Sequence, residues 1–317
     1  NKSAGADGIL SEMLKCSQST LMPHLHSLFN AIFDQGLFPS LWTHSLIVPI
    51  HKKGPLNDPN NFRGISLTSI FSKTFLHILN ARLQTWADEN NIIGEEQAGC
   101  RRGYSTVDNV FILYNVVQRY LSRNKKLFVL FVDFQKAFDT VNRQALWKVL
   151  EGSGVQGKML KMLKAVYKTV KCSVRCQGQA HGSIDCHRGL KQGCKLSPLL
   201  FSFLVSHLCL EVIGKGKHGV QLKPNGSELF LLLFVDDIVL LSDTVPGLQN
   251  QINNLKNAAD KLGLLINMEK TKVVVFRNGG FIAAHEKWMI GDIKLEVATQ
   301  YKLSLIHISE PTRPRSI

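Results

Sequence analysis

The sequence predicts a mixed α+β fold, because hydrophobic residues follow two different periods along its 317 residues. In about the first 40 residues they recur three and four positions apart, which is the spacing of an amphipathic helix. At 127–132 the apolar run is unbroken, as is typical of a buried strand. Two further apolar runs, 229–235 and 238–241, flank Asp236 and Asp237 in the pattern of a buried hairpin. We therefore expect helices and strands in the same chain.

The other elements of the N-terminal half follow from the same two periods. Strands are expected at 42–50 and at 62–67, with a basic turn at 51–55 between them. Helices are expected at 72–86 and from Ser105 or Thr106 onward. The residues predicted on the buried side of this last helix are Val110, Phe111, Leu113, Tyr114, Val117 and Leu121.

Helices and strands are also predicted to alternate in the C-terminal half. A helical pattern from Leu146 to Val166 is interrupted by Gly152 and Gly154, and a strand is expected at 171–174. A loop at 189–193 leads into an apolar helix near Ser197 and Pro198, where proline is favourable in the first turn. The last predicted elements are a helix at 248–262, stopped by Gly263, and a strand at 272–276.

Composition and charge predict a globular protein that binds a polyanion. Hydrophobic residues make up 44% of the chain and charged residues 20%, which excludes disordered and fibrous classes. Lys and Arg number 38 against 24 Asp and Glu, a formal net charge of +14. A summed positive field of this kind attracts polyanions, so nucleic acid is the leading expected partner.

The cysteines and the apolar runs give an expectation about the compartment. Seven cysteines, an odd number, are scattered through apolar segments, which predicts a reduced, intracellular protein. The longest apolar runs, 199–210 and 229–241, are shorter than the ~20 residues of a membrane span, so no transmembrane segment and no membrane partner are predicted. The chain begins at Asn1 without an initiator Met, and we expect it to be a piece of a longer product.

Three aspartates stand out because they lie at the ends of apolar strands. Asp133 closes the run at 127–132, and Asp236 and Asp237 separate the two strands of the predicted hairpin. Either site alone is explained equally well by a strand cap or a turn, where Asp is common. Both together favour chemistry, because ionised carboxylates beside apolar strands are costly unless they are paired or bound to metal. If the strands are neighbours, the three carboxylates converge into an oxygen-rich site suited to Mg²⁺.

A second metal hypothesis comes from a cysteine-rich segment. Cys172, Cys176, His181 and Cys186 have the spacing C-x3-C-x4-H-x4-C, one residue away from that of a zinc knuckle. The residues around Cys172 alternate like a strand, however, which favours buried free cysteines on a sheet.

The segments around the aspartates carry a resemblance to a known family. Phe131–Asp139, Arg188–Leu199 and Phe234–Asp237 resemble, in that order, motifs A, B and C of reverse transcriptases, most closely those of non-LTR (LINE-type) retrotransposons. The resemblance extends to the segments 2–9, 49–54, 61–67, 97–106 and 263–272, and covers residues 1 to about 302. It depends on order and spacing over most of the chain, which makes it highly specific.

The resemblance implies a right-hand polymerase fold with fingers and palm, and without a thumb. The fingers would occupy roughly 1–125 and the palm roughly 126–302, with a fingers-associated segment near 145–190. In that family the cysteine-rich segment is a hairpin near the palm without metal. The tail at 303–317 departs abruptly from the family pattern and resembles translated sequencing-adapter read-through, so it is expected to be unrelated to the domain.

The resemblance also implies roles for individual residues. Asp133, Asp236 and Asp237 would hold two Mg²⁺ ions, or Mn²⁺ in their place, and Lys270 would protonate the pyrophosphate leaving group. Phe138 would lie beneath the sugar and exclude a ribose 2′-hydroxyl. The residues that would contact the incoming nucleotide or the template are Lys52, Lys53, Arg63, Phe134, Phe138, Gln192 and Gly193. For Lys270, Phe138, Arg101 and Arg102 a purely structural or solvated role remains open.

The implied activity is RNA-directed DNA synthesis on an RNA template and a DNA primer with deoxynucleoside triphosphates. An endonuclease and a thumb are expected elsewhere in the full retrotransposon protein, with assembly on RNA in the cytoplasm and integration in the nucleus. Cys194 and Lys195 stand where the family usually has Asp-Pro, and Cys100 where Phe is usual. Two alternatives therefore stay open: a maturase-like or domesticated reverse transcriptase, and a catalytically impaired RNA-binding remnant.

Overall fold

The computed structural model confirms the mixed α+β fold and describes residues 3–94, 96–99, 103, 105–176, 178–191, 193–213, 219–222, 228–303 and 306–309. Its helices are α1 (Ser11–Cys16), α2 (Gln18–Gln35), α3 (Ile70–Glu89), α4 (Thr106–Ser122), α5 (Ala137–Thr140), α6 (Arg143–Gly152), α7 (Gly157–Lys168), α8 (Leu196–Ile213) and α9 (Val245–Leu262). Its strands are β1 (His44–His51), β2 (Phe62–Leu67), β3 (Leu127–Val132), β4 (Lys171–Cys176), β5 (Gln179–Asp185), β6 (Val220–Gln221), β7 (Glu228–Leu229), β8 (Leu231–Phe234), β9 (Asp237–Ser242), β10 (Lys272–Phe276), β11 (Met289–Ile290), β12 (Ile293–Lys294), β13 (Glu296–Ala298), β14 (Gln300–Leu303) and β15 (Ile306–Ser309).

The chain divides into two compact units. Unit 1 comprises Asn1–Ile92 and Val141–Leu200, and unit 2 comprises Ile93–Thr140 and Phe201–Ile317. The sheet of unit 1 has the order β2-β1-β4-β5, in which β1 is antiparallel to β2 and parallel to β4. Unit 1 also contains a cluster of aromatic rings. The ring centroid of Phe75 on α3 lies 5.4 Å from that of Phe29 and 6.1 Å from that of Trp42.

Unit 2 is built on a five-stranded sheet of order β13-β10-β3-β9-β8. The central strand β3 is buried along its whole length and is antiparallel to both β9 and β10, which explains why its sequence is apolar throughout. Helix α9 packs on this sheet. It begins where the Thr244 hydroxyl accepts a hydrogen bond from the Gly247 amide, and it ends at Gly263, whose φ of 71° suits glycine.

Among the differences from the sequence prediction, two concern helix α4 and strand β5. The buried face of α4 does not include Phe111 and Tyr114, whose exposed fractions are 66% and 59%. The helix instead turns Leu113, Val116, Val117 and Tyr120 toward the sheet, because a helix with apolar residues on more than half its circumference can bury only one side. Strand β5 was not predicted, because its residues are exposed and mostly polar and carry no hydrophobic period.

Helix α8 is the one element, among the described residues, that is long and apolar enough to cross a membrane by length and composition alone. Most of its residues are buried inside the protein, and core helices of globular proteins pass the same test. At the C-terminal end, the backbone of β15 pairs antiparallel with β14, so that part of the predicted tail joins a strand pair. The predicted boundaries of fingers, palm and tail stay predictions.

Candidate active site

The strand register brings the predicted aspartates of unit 2 to one end of the sheet. Val132 pairs with Ile238 of β9, so the next residue, Asp133, comes opposite Asp237. On the other side Phe131 pairs with Lys272 of β10, so Asp133 also comes opposite Lys270. Three residues chosen from the sequence alone are therefore neighbours at the same end of one sheet.

The hairpin between β8 and β9 has a loop of only two residues. Phe234 pairs with Asp237, which leaves Val235 and Asp236 to make the turn. Val235 has φ of 59°, in the left-handed region, which is an outlier for a β-branched residue and costs about 1–3 kcal/mol. The backbone that carries Asp236 is therefore held in a strained conformation by its surroundings.

Asp133 is held by three neighbours from the segment that precedes β10. The amide Nδ2 of Asn267 donates to Asp133 Oδ2 at 3.0 Å, and Lys270 Nζ lies 3.3 Å from the same oxygen. The Asn267 backbone N–H donates to the Asp133 carbonyl at 2.8 Å, while the Asp133 N–H donates to the Thr271 hydroxyl oxygen at 3.3 Å. These bonds fix both the backbone and the carboxylate of Asp133.

The neighbouring carboxylates affect the pKa of Asp237. Burial first, and then the negative charges of Asp236 and Asp133, raise this pKa to about 6, against a lowering by Lys270. Part of this burial comes from apolar neighbours, since Asp237 borders a small cavity lined by residues such as Val110 and Leu113. The site thus concentrates negative charge that a cation would neutralise.

The raised pKa predicts a stability change for Asp237→Asn in the absence of divalent cations. The folded-state pKa lies above the ordinary value of 3.8, so the unfolded chain releases its proton first and stability falls as pH rises from about 4 to about 6. Asparagine carries no charge and should raise the free energy of unfolding near pH 7 by about 1–2 kcal/mol, a figure reduced for partial solvation. Urea unfolding of both proteins between pH 4 and pH 7 tests this prediction. An equal increase in the free energy of unfolding near pH 4 would show that the effect does not come from the raised pKa of Asp237.

The donor set fits a hard divalent cation. Carboxylate oxygens are the preferred ligands of Mg²⁺, and an ammonium group already lies against Asp133 Oδ2. In the part of the chain that the structure describes, no group of three or more His, Cys, Asp or Glu side chains is arranged to hold a metal by itself. Mg²⁺ commonly takes only one or two protein carboxylates and completes its shell with water and substrate phosphates, so such a cage is not required.

The two phenylalanines after Asp133 have different surroundings. Phe134 is buried, with 4% of its surface exposed, and its backbone bridges to Ile266. Phe138 lies on the short helix α5, is half-buried and stacks on Phe201 with ring centroids 4.7 Å apart. Of the two, Phe138 is the more exposed to solvent.

The other predicted nucleotide contacts that the structure describes belong to unit 1. Lys52 and Lys53 lie exposed in the connection between β1 and β2, and the Lys52 N–H donates to the Asn61 carbonyl at 2.8 Å. Arg63 is exposed on β2, opposite Ile50. Gly193 has φ of 93°, which favours glycine, and a Cβ there would make a tight contact of 3.3 Å with the Ser66 carbonyl oxygen.

Several predicted residues lie outside the described part of the chain. Gln192, Cys100, Arg101 and Arg102 belong to this group. The cysteine-rich segment is described apart from residue 177: the thiols of Cys172 and Cys186 contact each other at 2.9 Å, and Cys176 is exposed. Burial raises the pKa of the Cys172 thiol to about 12, with a further contribution from Cys186.

The loop that leads into α8 is anchored by Arg143. The guanidinium of this residue donates from Nε to the Gly189 carbonyl at 2.9 Å, from Nη1 to the Tyr167 carbonyl at 3.0 Å and from Nη2 to the Arg188 carbonyl at 3.0 Å. A second anchor lies farther along, where the Ser197 hydroxyl donates to the Lys191 carbonyl at 2.8 Å. Side-chain hydrogen bonds thus fix the backbone carbonyls of Arg188, Gly189 and Lys191.

We expect Arg143→Lys to loosen this loop although it keeps the positive charge. Lysine presents a single ammonium group and cannot reproduce three donors in a planar fork. The free energy of unfolding should fall by about 1–3 kcal/mol, and amide hydrogen exchange at 188–191 should accelerate. Arg175→Lys on β4 serves as the control. Unchanged exchange in Arg143→Lys would show that the fork does not order the loop.

A family model decides the relationship of the chain to known proteins. Residues 50–302 match the model described as reverse transcriptase (RNA-dependent DNA polymerase). The chain belongs to the reverse transcriptase family. Its enzyme class is accordingly that of the RNA-directed DNA polymerases, as the motifs around Asp133 and Asp236 predicted.

Curated relatives of this reverse transcriptase domain come from transposable elements. A probable RNA-directed DNA polymerase from transposon BS of Drosophila melanogaster is 29% identical over 286 residues, which cover 85% of this chain and 30% of that protein. An uncharacterized 149 kDa protein of transposon TX1 from Xenopus laevis is 28% identical over 250 residues, covering 78% and 19%. The predicted resemblance to reverse transcriptases of non-LTR retrotransposons is confirmed. The chain spans between about a fifth and a third of the length of these relatives.

Solved structures support the fold. An apo telomerase from Candida tropicalis truncated from its C-terminal domain superposes with a TM-score of 0.55 at 15% sequence identity, over 92% of this chain and 60% of that one. At this identity the similarity concerns the fold alone, and it agrees with a reverse transcriptase domain of mixed α+β type.

Three residues of this reverse transcriptase domain that contact its functional segments were not singled out from the sequence. Asn267 binds Asp133, Arg143 binds the loop before α8, and Gln97 binds the turn at Val235. Asn267 and Gln97 both lie within segments that carry the family resemblance, and this position is the sequence feature that could have identified them. Arg143 lies just beyond such a segment, and nothing in its spacing indicates that it reaches three carbonyls.

Proposed function

We propose that this domain catalyses template-directed DNA synthesis on RNA. The observation that carries the proposal is the register of unit 2, in which Asp133 ends β3 opposite Asp237, with Asp236 in the adjoining two-residue turn. Family membership supplies the reaction class, and the excess of positive charge suits a nucleic-acid substrate.

Asp133, Asp236 and Asp237 are the residues that would hold divalent cations, two Mg²⁺ ions or Mn²⁺ in their place. Such ions, when bound, activate the primer 3′-hydroxyl and neutralise charge on the pyrophosphate that leaves. The protein itself orients the carboxylates: Asn267 and Thr271 fix Asp133, and the β8–β9 hairpin fixes Asp236 and Asp237. The raised pKa of Asp237 supports this assignment, because a site that disfavours three negative charges gains most when a cation binds.

Lys270 is proposed as the group that donates a proton to the leaving pyrophosphate. Its ammonium lies 3.3 Å from Asp133 Oδ2 while 65% of its side chain stays exposed, so it reaches the carboxylates from solvent. In this position it also balances the negative charge of Asp133 before substrate arrives. Release from Asp133 would free the ammonium for a phosphate oxygen within the same region.

The family resemblance also implies roles in nucleotide recognition. We propose that Phe138 contacts the sugar, that Lys52, Lys53 and Arg63 contact the triphosphate, and that Gln192 and Gly193 approach the nucleotide and template. Flexible, exposed cations suit this task because triphosphates are bound by charge-assisted hydrogen bonds. Phe134 is assigned a supporting part beneath the site, since its side chain is buried.

The proposed partners and architecture follow from the same family. They are an RNA template, a DNA primer and deoxynucleoside triphosphates, with fingers at roughly 1–125, palm at roughly 126–302 and thumb and endonuclease elsewhere in a longer retrotransposon protein. Assembly on RNA in the cytoplasm and synthesis at the integration step in the nucleus complete the proposal. No membrane partner is proposed.

A primer-extension assay with the intact protein tests this function. We expect extension of a DNA primer on an RNA template when Mg²⁺ and all four deoxynucleotides are present, and termination at the templated position when one is withheld. A remnant that only binds RNA would retain the template in a gel-shift assay and give no extension with either Mg²⁺ or Mn²⁺. That result would overturn the proposal.

A further inference from the structure

A short segment before α4 pairs with the catalytic hairpin. The Leu233 N–H donates to the Glu96 carbonyl at 2.9 Å, and the Ala98 N–H donates to the Leu233 carbonyl at 3.0 Å. These two bonds place residues 96–98 parallel to β8, along the side of that strand that does not face β9. The segment is thus a neighbour of the strand that leads directly into the turn of Val235 and Asp236.

The side chain of Gln97 reaches that turn. Gln97 is fully buried, and its Oε1 accepts the Val235 N–H at 3.0 Å and the Gly99 N–H at 2.8 Å. Two backbone donors converge on this one oxygen, which fixes the orientation of the amide group. The Val235 N–H belongs to the residue with φ of 59°, immediately before Asp236.

Close packing at Gly99 reinforces this contact. A Cβ at position 99 would lie 2.3 Å from Val235 N and 2.6 Å from Val235 Cγ2, so no other residue type fits there without displacement of the turn. Asn109 of α4 adds a further bond, since its Nδ2 donates to the Leu233 carbonyl at 2.7 Å. One side of the β8–β9 hairpin is therefore in contact with Gln97, Gly99 and Asn109.

The Val235 turn does not hold itself in this conformation. Two-residue hairpin turns with positive φ favour Asn, Asp or Gly, and valine is poorly suited to such a position. The hydrogen bond from Val235 N–H to Gln97 and the packing against Gly99 both oppose relaxation of this residue. If they were lost, the backbone at 235 would be free to move to negative φ, and the side chain of Asp236 would move with it.

We infer that Gln97 is a positioning residue that sets the orientation of the Asp236 carboxylate by holding Val235 in the left-handed conformation. This inference rests on the proposed polymerase function, in which Asp236 binds a divalent cation. Gln97 is assigned no contact with substrate and acts only through the turn.

The test compares Gln97→Met with the unsubstituted protein, because methionine keeps the length of the side chain and removes the acceptor. Turnover in primer extension should fall about 10- to 100-fold, as expected for a carboxylate displaced by about 1 Å, and the Mg²⁺ concentration for half-maximal rate should rise. Gln251→Met is the matched control. Its amide is also buried but donates to Leu241, at the other end of β9, so it should lower stability without any change in the Mg²⁺ requirement.

A rescue variant separates positioning from a general loss of structure. Glycine adopts positive φ without strain, so Val235→Gly introduced into Gln97→Met should restore turnover by at least about 5-fold. A structural role predicts the opposite, since replacement of valine by the smaller and more flexible glycine would lower stability further. Failure of this rescue, or an unchanged Mg²⁺ requirement in Gln97→Met, would overturn the inference.

A second readout does not depend on polymerase activity. Amide hydrogen exchange at Val235 and Gly99 should accelerate at least about 10-fold in Gln97→Met, and much less in Gln251→Met, because these two N–H groups lose their acceptor. If the unsubstituted protein makes no DNA but shows this pattern, the polymerase proposal fails while the structural part of the inference stands. Equal exchange in both variants would refute the inference even in an active enzyme.

Discussion

Asp236→Asn is expected to lower primer extension by about 10³-fold or more while leaving template binding nearly unchanged. Asparagine has the size of aspartate but no charge, so it keeps the turn and removes the anionic ligand that we propose for the cations. Asp133→Asn should have an effect of the same size, because Asp133 shares the site and is fixed there by Asn267. Single-turnover extension rates, measured beside gel-shift affinities for the primer–template, separate the two effects.

Asp243→Asn provides the matched control for these variants. Asp243 directly follows β9 at the end opposite Asp237 and accepts a hydrogen bond from the Tyr120 hydroxyl at 3.3 Å. Its replacement should affect stability without a specific loss of extension. If Asp236→Asn lost template affinity in proportion to extension, the aspartate would have a structural role and the catalytic assignment would be wrong.

The second large effect concerns the choice of sugar. Phe138 lies on α5, just after the strand that ends at Asp133, and its half-buried ring stacks on Phe201. An aromatic ring beneath the sugar leaves no space for a 2′-hydroxyl, so Phe138→Val should raise ribonucleotide incorporation relative to deoxynucleotide by about 10- to 100-fold, an apparent gain of roughly 1–3 kcal/mol for removal of a clash. Most DNA synthesis should be retained. Competition assays with matched ribo- and deoxynucleotides give the ratio directly.

Phe203→Val tests the alternative that Phe138 only contributes to the core. Phe203 is a fully buried phenylalanine of α8, and its truncation should cost stability by cavity formation without altering the sugar preference. The same outcome in Phe138→Val, with lower stability and an unchanged ratio, would assign Phe138 to the core instead.

The sequence predicts those parts of the fold and site that show a hydrophobic pattern or a charged residue at the end of an apolar run. Strand β3 is recognisable because it is buried on both faces and therefore apolar at every position. Asp133, Asp236 and Asp237 are recognisable because a carboxylate at the end of such a strand needs a compensating partner. Their convergence needed only the assumption that the strands are neighbours, and the register of β3 with β9 shows that they are.

The parts that the sequence does not predict depend on contacts between distant segments. The φ of Val235 follows from what surrounds the turn, since valine by itself disfavours that conformation. Gln97 could be assigned only once the Val235 N–H was seen beside its side chain, 138 positions along the chain. The exposure of Phe111 and Tyr114 depends on which side of α4 faces the sheet, and the apolar residues of that helix leave more than one choice.

The central claim is that Asp133, Asp236 and Asp237 together bind divalent cations for DNA synthesis, and Mn²⁺ binding followed by electron paramagnetic resonance tests it most directly. The titration is made with the intact protein, a primer–template and a non-hydrolysable deoxynucleotide analogue. We expect bound Mn²⁺ in the unsubstituted protein and in Asp243→Asn, with at least about 10-fold weaker binding in Asp133→Asn and in Asp236→Asn. Undiminished Mn²⁺ binding in both of the latter variants would contradict the account.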